Sequence, residues 1–305
     1  KRVSTKSSLS TTLLLRWRID AGLARVHSSF VSNQKRLSTF QAPLWNFVLL
    51  SASLWNNYII SKQKIISLVP SQTELLHYLG LEDEVGGITK FCIHPDSWFR
   101  SKTRVGGTKM LHLDKIRELK PDLIIANHEE NEKEQIEVLQ KDFKVHITDV
   151  RDLNDAYLMI QEIGQLTNRK AKANELVERI QQEFDKLPKA KKPKKVLYLI
   201  WQKPYMSVGK DTFIHDMIER CGWKNCMQHT ERYPEVTMGD MRQMQPDLIL
   251  LSSEPFPFKE EHQTALQKQV PNSKVILVDG EMFSWYGSRL LLAVDYFREL
   301  LEEDR

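Results

Sequence analysis

NRKAKANELVERIQQEFDKL (168–187) is the stretch that decides the fold. Its apolar residues Ala173, Leu176, Val177, Ile180, Phe184 and Leu187 recur at i, i+3, i+4 and i+7, the stripe of an amphipathic helix. No Gly or Pro interrupts it, and Pro188 stops it. At 1.5 Å per residue it would run roughly 30 Å, about the diameter of a small domain. The helical pattern starts earlier, near Asp152, and strand-and-helix alternation lies on both sides. The whole run therefore reads as a rigid strut, 151–187, joining two lobes at 65–150 and 188–305.

On the amino side, IISLV (65–69) is a short apolar run of the kind that forms a parallel strand buried on both faces. Pro70 follows, and Ser71-Gln72-Thr73-Glu74 reads as a capping box opening a helix that ends at Gly80. VGGI (85–88), a helix at about 113–119, LIIA (123–126), a polar helix near 131–140 and KVHIT (144–148) complete the first lobe. On the carboxyl side a Pro/Lys connector, KLPKAKKPKK (186–195), reads as a solvated linker. VLYLIW (196–201), a helix from Asp211 to about Cys221, a helix near 238–244, DLILL (247–251), KVILVD (274–279) and a last helix from about Gly287 follow.

The two sides repeat one another. LDKIRELKPDLIIANHEE (113–130) aligns without a gap with MGDMRQMQPDLILLSSEP (238–255), matching Leu113 to Met238, Ile116 to Met241 and Arg117 to Arg242. The expected fold class is α/β: two Rossmann-like lobes with parallel sheets, joined by one long backbone helix.

Composition sets limits on function. The net charge of +4 hides a split. Residues 1–64 carry ten Lys/Arg against the single acid Asp20, while the rest of the chain is net acidic at −5. The basic balance therefore belongs to the first segment and argues against nucleic-acid binding by the body. Three cysteines, Cys92, Cys221 and Cys226, are too few and odd in number for a disulfide framework. Residues 1–64 are Ser/Thr-rich and basic, like a targeting presequence, and Lys35-Arg36 ahead of APLWNFVLLSASLW (42–55) resembles a secretory signal. An extension unrelated to the fold is the alternative for this segment. The expected location is the periplasm or cell envelope if 42–55 is a signal core, and cytoplasmic if it is not.

Parallel sheets bind ligands at the carboxyl ends of their strands. The loops there are aromatic and polar, offering Phe91, Trp98, Trp201, Tyr205, Phe283, Trp285 and Tyr286 with Lys90, His94, Glu129, Glu254 and Arg289. That lining suits a sizeable flat or chelated ligand. In Phe91-Cys92-Ile93-His94-Pro95, Cys92 and His94 share a side if the segment is extended, a spacing at which they could ligate a metal with His112, His128, Glu129 or Glu130. A buried cysteine beside a structural histidine is the other reading. Enzyme templates fail: no GxGxxG follows a strand, no GxSxG is present, and Gly209-Lys210 lacks the glycine a phosphate loop needs. A Cys92/His94 thiol enzyme stands third, because side chains two apart on a strand do not meet as nucleophile and base.

IISLVPSQTELLHYLGL, ITKFCIHP, RVGGTK, KPDLIIANHEEN, VGKDTFIHDMIERCG and DGEMFSWYGSRLL resemble the substrate-binding proteins of ABC importers for vitamin B12, haem, siderophores and metals. The similarity is strongest to the helical backbone metal receptors and covers about 65–300. It implies a type III binding fold with ligand captured between the lobes, no covalent cofactor, a monomer, and docking on a permease through acidic residues. Glu132 and Glu134 lie near the positions for that docking. Carried over by position, the ligand-facing residues would be Ser71, Thr73, Phe91, His94, Asn127, Glu129, Tyr205, Met206, Glu281, Phe283, Trp285, Tyr286 and Arg289, beside Lys90 and Glu254 read from the strand-end loops. Two departures stand out: Asn127 replaces a tryptophan that flanks the corrin in B12 binders, and Glu281 stands at an acidic turn. The expected function is capture of a corrinoid or other metal chelate (cobalamin, haem or an iron-siderophore), with a divalent-metal receptor as the alternative.

Overall fold

The computed structural model describes residues 62–189 and 192–303. The presequence-like and signal-like readings of 1–61 lie outside the described residues.

The first lobe is a parallel sheet of Ile65–Ser67 (β1), Val85–Ile88 (β2), Thr103–Arg104 (β3), Leu123–Asn127 (β4) and Val145–Thr148 (β5), in the order β3-β2-β1-β4-β5. Helices Pro70–Tyr78 (α1), Asp96–Ser101 (α2), Leu113–Leu119 (α3) and Lys133–Gln140 (α4) connect these strands. The second lobe has Lys195–Leu199 (β6), Tyr205–Met206 (β7), Lys224–Asn225 (β8), Glu235–Val236 (β9), Leu248–Ser252 (β10) and Lys274–Val278 (β11). Its parallel sheet runs β11-β10-β6-β8, and β7 with β9 forms a small antiparallel pair. The central strands β1, β4, β6 and β10 are almost wholly apolar, as burial on both faces requires.

The repeat extends into backbone detail. β1 lies beside β4 with Ile65 opposite Leu123, as β6 lies beside β10 with Val196 opposite Leu248. The Lys64 amide donates to Asp122 Oδ2 at 2.8 Å, and the Lys195 amide to Asp247 Oδ2 at 2.7 Å. α3 and its counterpart Met238–Met244, one of the helices described next, both end in a left-handed residue, Lys120 and Gln245, at φ 48° and ψ 63°.

Between the lobes the structure corrects the single strut. The run from 152 to 187 is two helices, Leu153–Leu166 (α5) and Lys170–Asp185 (α6), broken at Asn168. Asn168 sits at φ +57°, a left-handed conformation that asparagine tolerates better than most residues. The two helices fold back on each other, and a Cβ added at Gly164 of α5 would lie 2.3 Å from Ala173 Cβ of α6. Gly164→Val is expected to force them apart and cost about 1–3 kcal/mol, the usual price of overpacking. Thermal denaturation reads this out, and an unchanged midpoint would contradict the close approach.

Both helices span the lobes: the Leu153 amide at the start of α5 donates to Asp216 of the second lobe at 2.9 Å, and the whole predicted stripe of α6 is buried. At its amino end Arg169 pairs with Glu84 at 3.0 Å, and nearly three turns on, Arg179 donates to the Tyr78 hydroxyl at 3.0 Å, both in the first lobe. At its carboxyl end Glu183 pairs with Arg298 at 2.6 Å and Phe184 meets Phe297 edge-on, both partners in the terminal helix of the second lobe. The remaining helices are Phe213–Arg220 (α7), Met238–Met244 (α8), Glu260–Gln269 (α9), Gly280–Ser284 (α10) and Leu290–Glu303 (α11). One contiguous apolar cluster runs from Ile65 and Leu75 through Leu176 and Ile180 to Tyr198 and Phe297.

The capping box at Ser71 is also corrected. α1 starts one residue earlier, at Pro70, whose missing N–H costs nothing in a first turn. The Thr73 hydroxyl donates back to the Val69 carbonyl at 2.9 Å, and the Glu74 carboxylate is used elsewhere. A box of this type does form in the second lobe, between Thr237 and Asp240 at the start of α8.

Candidate functional site

The loops at the carboxyl ends of the two sheets meet. Arg289, buried just before α11, donates from Nε and Nη2 to the Glu74 carboxylate of α1 at 2.8 and 2.9 Å. Its Nη1 reaches Glu281 of α10 at 2.7 Å, and His94 Nε2, on the loop after β2, lies 3.2 Å from the same Glu281 oxygen. The guanidinium sits 4.8 Å over the Trp285 ring, which His94 meets edge-on at 5.6 Å. Trp285 Nε1 donates to Glu254 at 2.9 Å, and the Ser284 hydroxyl donates to the same oxygen at 2.6 Å. One chain of contacts thus ties α1 and the His94 loop to the ends of β10 and β11.

A second bridge stands beside it. The Tyr233 hydroxyl donates to Glu129 at 2.7 Å, and Arg232 Nη1 reaches the other Glu129 oxygen at 2.7 Å. Asn127 sets up this loop from beneath. Its buried side-chain carbonyl accepts the amides of Glu129 and Glu130 at 2.9 and 3.2 Å, and its NH2 donates to the Thr148 carbonyl at 3.1 Å.

The junction is therefore rich in carboxylates: Glu74, Glu129, Glu130, Glu254 and Glu281 face two guanidinium groups, those of Arg232 and Arg289. Burial pushes the Glu130 carboxyl up to about 7, with Glu254 and Glu129 adding like charge. Burial likewise raises Glu254, against the hydrogen bond from Ser284. It raises Glu281 too, against the pull of Arg289 and His94.

Apolar side chains crown the same loops. Phe91, Ile93, Met110 and Trp201 are all 40% or more exposed, an unusual concentration for large apolar residues. Lys90 Nζ lies 4.9 Å over the Phe91 ring, and Trp201 meets Phe256 edge-on at 5.7 Å. Gly107 backs Phe91 closely, since a Cβ there would come within 3.2 Å of the ring. Flat exposed rings above a polar floor suit a planar ligand.

Of the residues read from sequence, His94, Glu129, Glu254, Glu281, Trp285 and Arg289 are brought together at the junction, and Lys90 and Phe91 form its rim. Tyr286 is buried against Phe213 at 5.6 Å, and Ser71 is buried where Gly287 packs on α1. Tyr205 and Met206 lie on the β7–β9 pair, partly buried. Three expectations are corrected. Thr73 is fully buried, and its hydroxyl oxygen lies 3.0 Å from Cys92 Sγ. Phe283 is core, packed on Tyr198 and Phe297 at 5.1 and 4.8 Å. Trp98 is buried too.

The Cys92/His94 metal pair is not assembled either. Cys92 points into the core between Thr73 and Thr89 while the His94 ring goes to Glu281, because the segment turns and is not an extended strand. Burial raises the Cys92 thiol, which opposes the thiolate that both metal binding and nucleophilic attack require. Among the described residues no group of three or more His, Cys, Asp or Glu is placed to hold a metal ion.

Sequence reasoning missed Glu74 as a junction residue, along with Arg232 and Tyr233, and met Glu130 only as a metal candidate. The ERYP run (231–234) carries no periodic or motif signal. It acquires meaning only when the second lobe presents it to Glu129.

Comparison with known proteins places this geometry. A family model described as periplasmic binding protein matches residues 65–276. The chain is 27% identical to an uncharacterized ABC transporter substrate-binding lipoprotein, YvrC of Bacillus subtilis, over 79% of this chain and 81% of that one. It is 25% identical to a vitamin B12-binding protein of Pectobacterium atrosepticum over 79% and 89% of the respective lengths. A solved structure of a "possible" iron-binding periplasmic solute-binding protein from Staphylococcus epidermidis superposes with a TM-score of 0.68 at 26% identity. That match covers 78% of this chain and 97% of the other. With a family model spanning both lobes and the helix between them, the chain belongs to the periplasmic binding protein family.

Proposed function

We propose that this protein captures a corrinoid, or another neutral or cationic metal chelate, between its lobes and presents it to an ABC-type permease at the cell envelope. The observation that carries this reading is the charge of the junction. Carboxylates outnumber guanidinium groups there, and both guanidinium groups are already paired. An anionic ligand such as haem with its propionates, or a ferric catecholate, would meet like charge at low dielectric. A corrinoid brings peripheral amide N–H donors, which carboxylates accept well, and a flat macrocycle for the Phe91 and Trp201 rims. The likeness to the Pectobacterium B12-binding protein supports the same choice. Among the described residues no helix is long and apolar enough to cross a membrane. Envelope location rests on the family and on relatives described as lipoprotein or periplasmic.

Thermal-shift titration tests the ligand class. Cyanocobalamin or cobinamide is expected to raise the midpoint in a saturable way, worth about 2.7 kcal/mol at a hundredfold excess over Kd. Haemin and a ferric hydroxamate serve as the competing arms. A shift with either of those and none with corrinoids would overturn the corrinoid assignment. No shift with any chelate would sink the binding-protein reading itself.

A further inference from the structure

The two lobes are alike enough that a difference at equivalent positions is informative. At the amino end of the first sheet, Arg117 of α3 is held by two carboxylates, Asp114 at 3.0 Å and Asp142 at 3.3 Å. The gap-free repeat equates Arg117 with Arg242 and Asp114 with Gly239. Strand register supplies the third position. Ile124 lies opposite Val145 as Ile249 lies opposite Val275, so Asp142 corresponds to Asn272. The second lobe has kept the arginine and lost both of its carboxylates. Arg242 has no ion-pair partner among the described residues.

That arginine lines a concavity of about 590 Å3, together with Lys195, Gln245, Asn272 and Ser273. Two features keep the concavity from repelling an anion. The Met244 carbonyl at the end of α8, which would otherwise present partial negative charge, accepts from Lys195 Nζ at 2.7 Å. Asp247, the one carboxylate of the lining, has Oδ2 accepting the Lys195 amide.

We infer that this concavity is an oxyanion site in which Arg242 binds a phosphate or phosphomonoester group, with the side chains of Gln245, Asn272 and Ser273 as neutral donors. A guanidinium presents paired N–H groups that match two phosphate oxygens, which a lysine point charge cannot do. The site opens at the amino ends of β6, β10 and β11, opposite the carboxyl-end loops of the ligand cleft. The two sites can therefore be filled at once, and this inference stands apart from the corrinoid assignment.

The test uses the full chain, with inorganic phosphate as the probe in calorimetric titration and in 31P line broadening. Saturable binding is expected, weakened about tenfold or more by Arg242→Gln, the loss of one charge-assisted contact. Asn272→Asp, which restores the pairing of the first lobe, is expected to weaken it to a similar degree. Both residues are exposed, so the phosphate-free thermal midpoint should hold in both variants and shows that they fold. Co-sedimentation with phosphatidylcholine vesicles, with and without phosphatidate, separates the two sources of the group. Arg242-dependent capture by phosphatidate vesicles assigns a lipid headgroup, whereas binding of phosphate alone assigns a soluble phosphate compound. The inference is overturned if neither probe binds in an Arg242-dependent way, or if Asn272→Asp binds as tightly as the parent chain.

Discussion

Arg289→Leu is expected to lower stability by about 3–5 kcal/mol, the scale for removing one partner of a buried ion pair. For a chain of this size that corresponds to a fall in thermal midpoint of roughly 10 °C, at about 2–4 °C per kcal/mol. The reason lies in what remains behind. Glu74 and Glu281, both little exposed, lose respectively two hydrogen bonds of 2.8 and 2.9 Å and an ion pair of 2.7 Å, leaving two carboxylates close together without the guanidinium between them. Adding Glu74→Leu and Glu281→Leu to the same chain should recover most of the loss, because a buried pair replaced whole by apolar groups is close to neutral. Circular dichroism melts of the single and triple variants check this. A single variant that melts with the parent would show that solvent screens the network.

The second large effect is tied to pH. Burial holds the Glu130 carboxyl at about 7 against 4.5 in the unfolded chain. Between those values the folded form keeps a proton that the unfolded chain has given up, so stability falls as pH rises through the window. The contribution is fully present below about 4.5 and is lost above about 7. Its size is at most about 3 kcal/mol, from 1.36 kcal/mol per pH unit. Glu254 and Glu281, raised by burial in the same direction, steepen the slope. Glu130→Gln removes the carboxylate, so the variant should be the more stable form at about pH 8 and should lose its advantage by about pH 5. Urea denaturation across that range reads the difference. Parallel curves for variant and parent would contradict the burial of Glu130 beside Glu254.

What the sequence disclosed and what it hid divide along a physical line. The apolar runs of β1, β4, β6 and β10, the stripe of α6 and the repeat are local patterns. Each specifies its element without reference to distant residues. The break at Asn168 was hidden because helical periodicity resumes within three residues, in a phase that a hairpin serves as well as a rod. Gly164 was the available clue, and its value depends on Ala173 standing opposite. Glu74 reads locally as a capping residue, yet its partner Arg289 lies 215 positions away. Thr73, Cys92 and Phe283 sit on the expected loops but turn inward, and only packing decides which way a loop side chain faces. The site was therefore legible as a set of strand ends and not as a set of contacts.

A molecule built from two similar halves invites cutting between them, and the shared apolar cluster argues against it. Severing the chain after α6 would leave the second half without Leu176 and Ile180 against its terminal helix. Severing before α6 would strip the first half of the same wall. Neither half can close its interior alone, so the lobes are expected to melt as one cooperative body despite the doubled architecture. This constrains how the halves can drift apart over generations. The interior they hold in common must change in concert, while outward positions such as Gly239, Arg242 and Asn272 are free to diverge and acquire uses of their own.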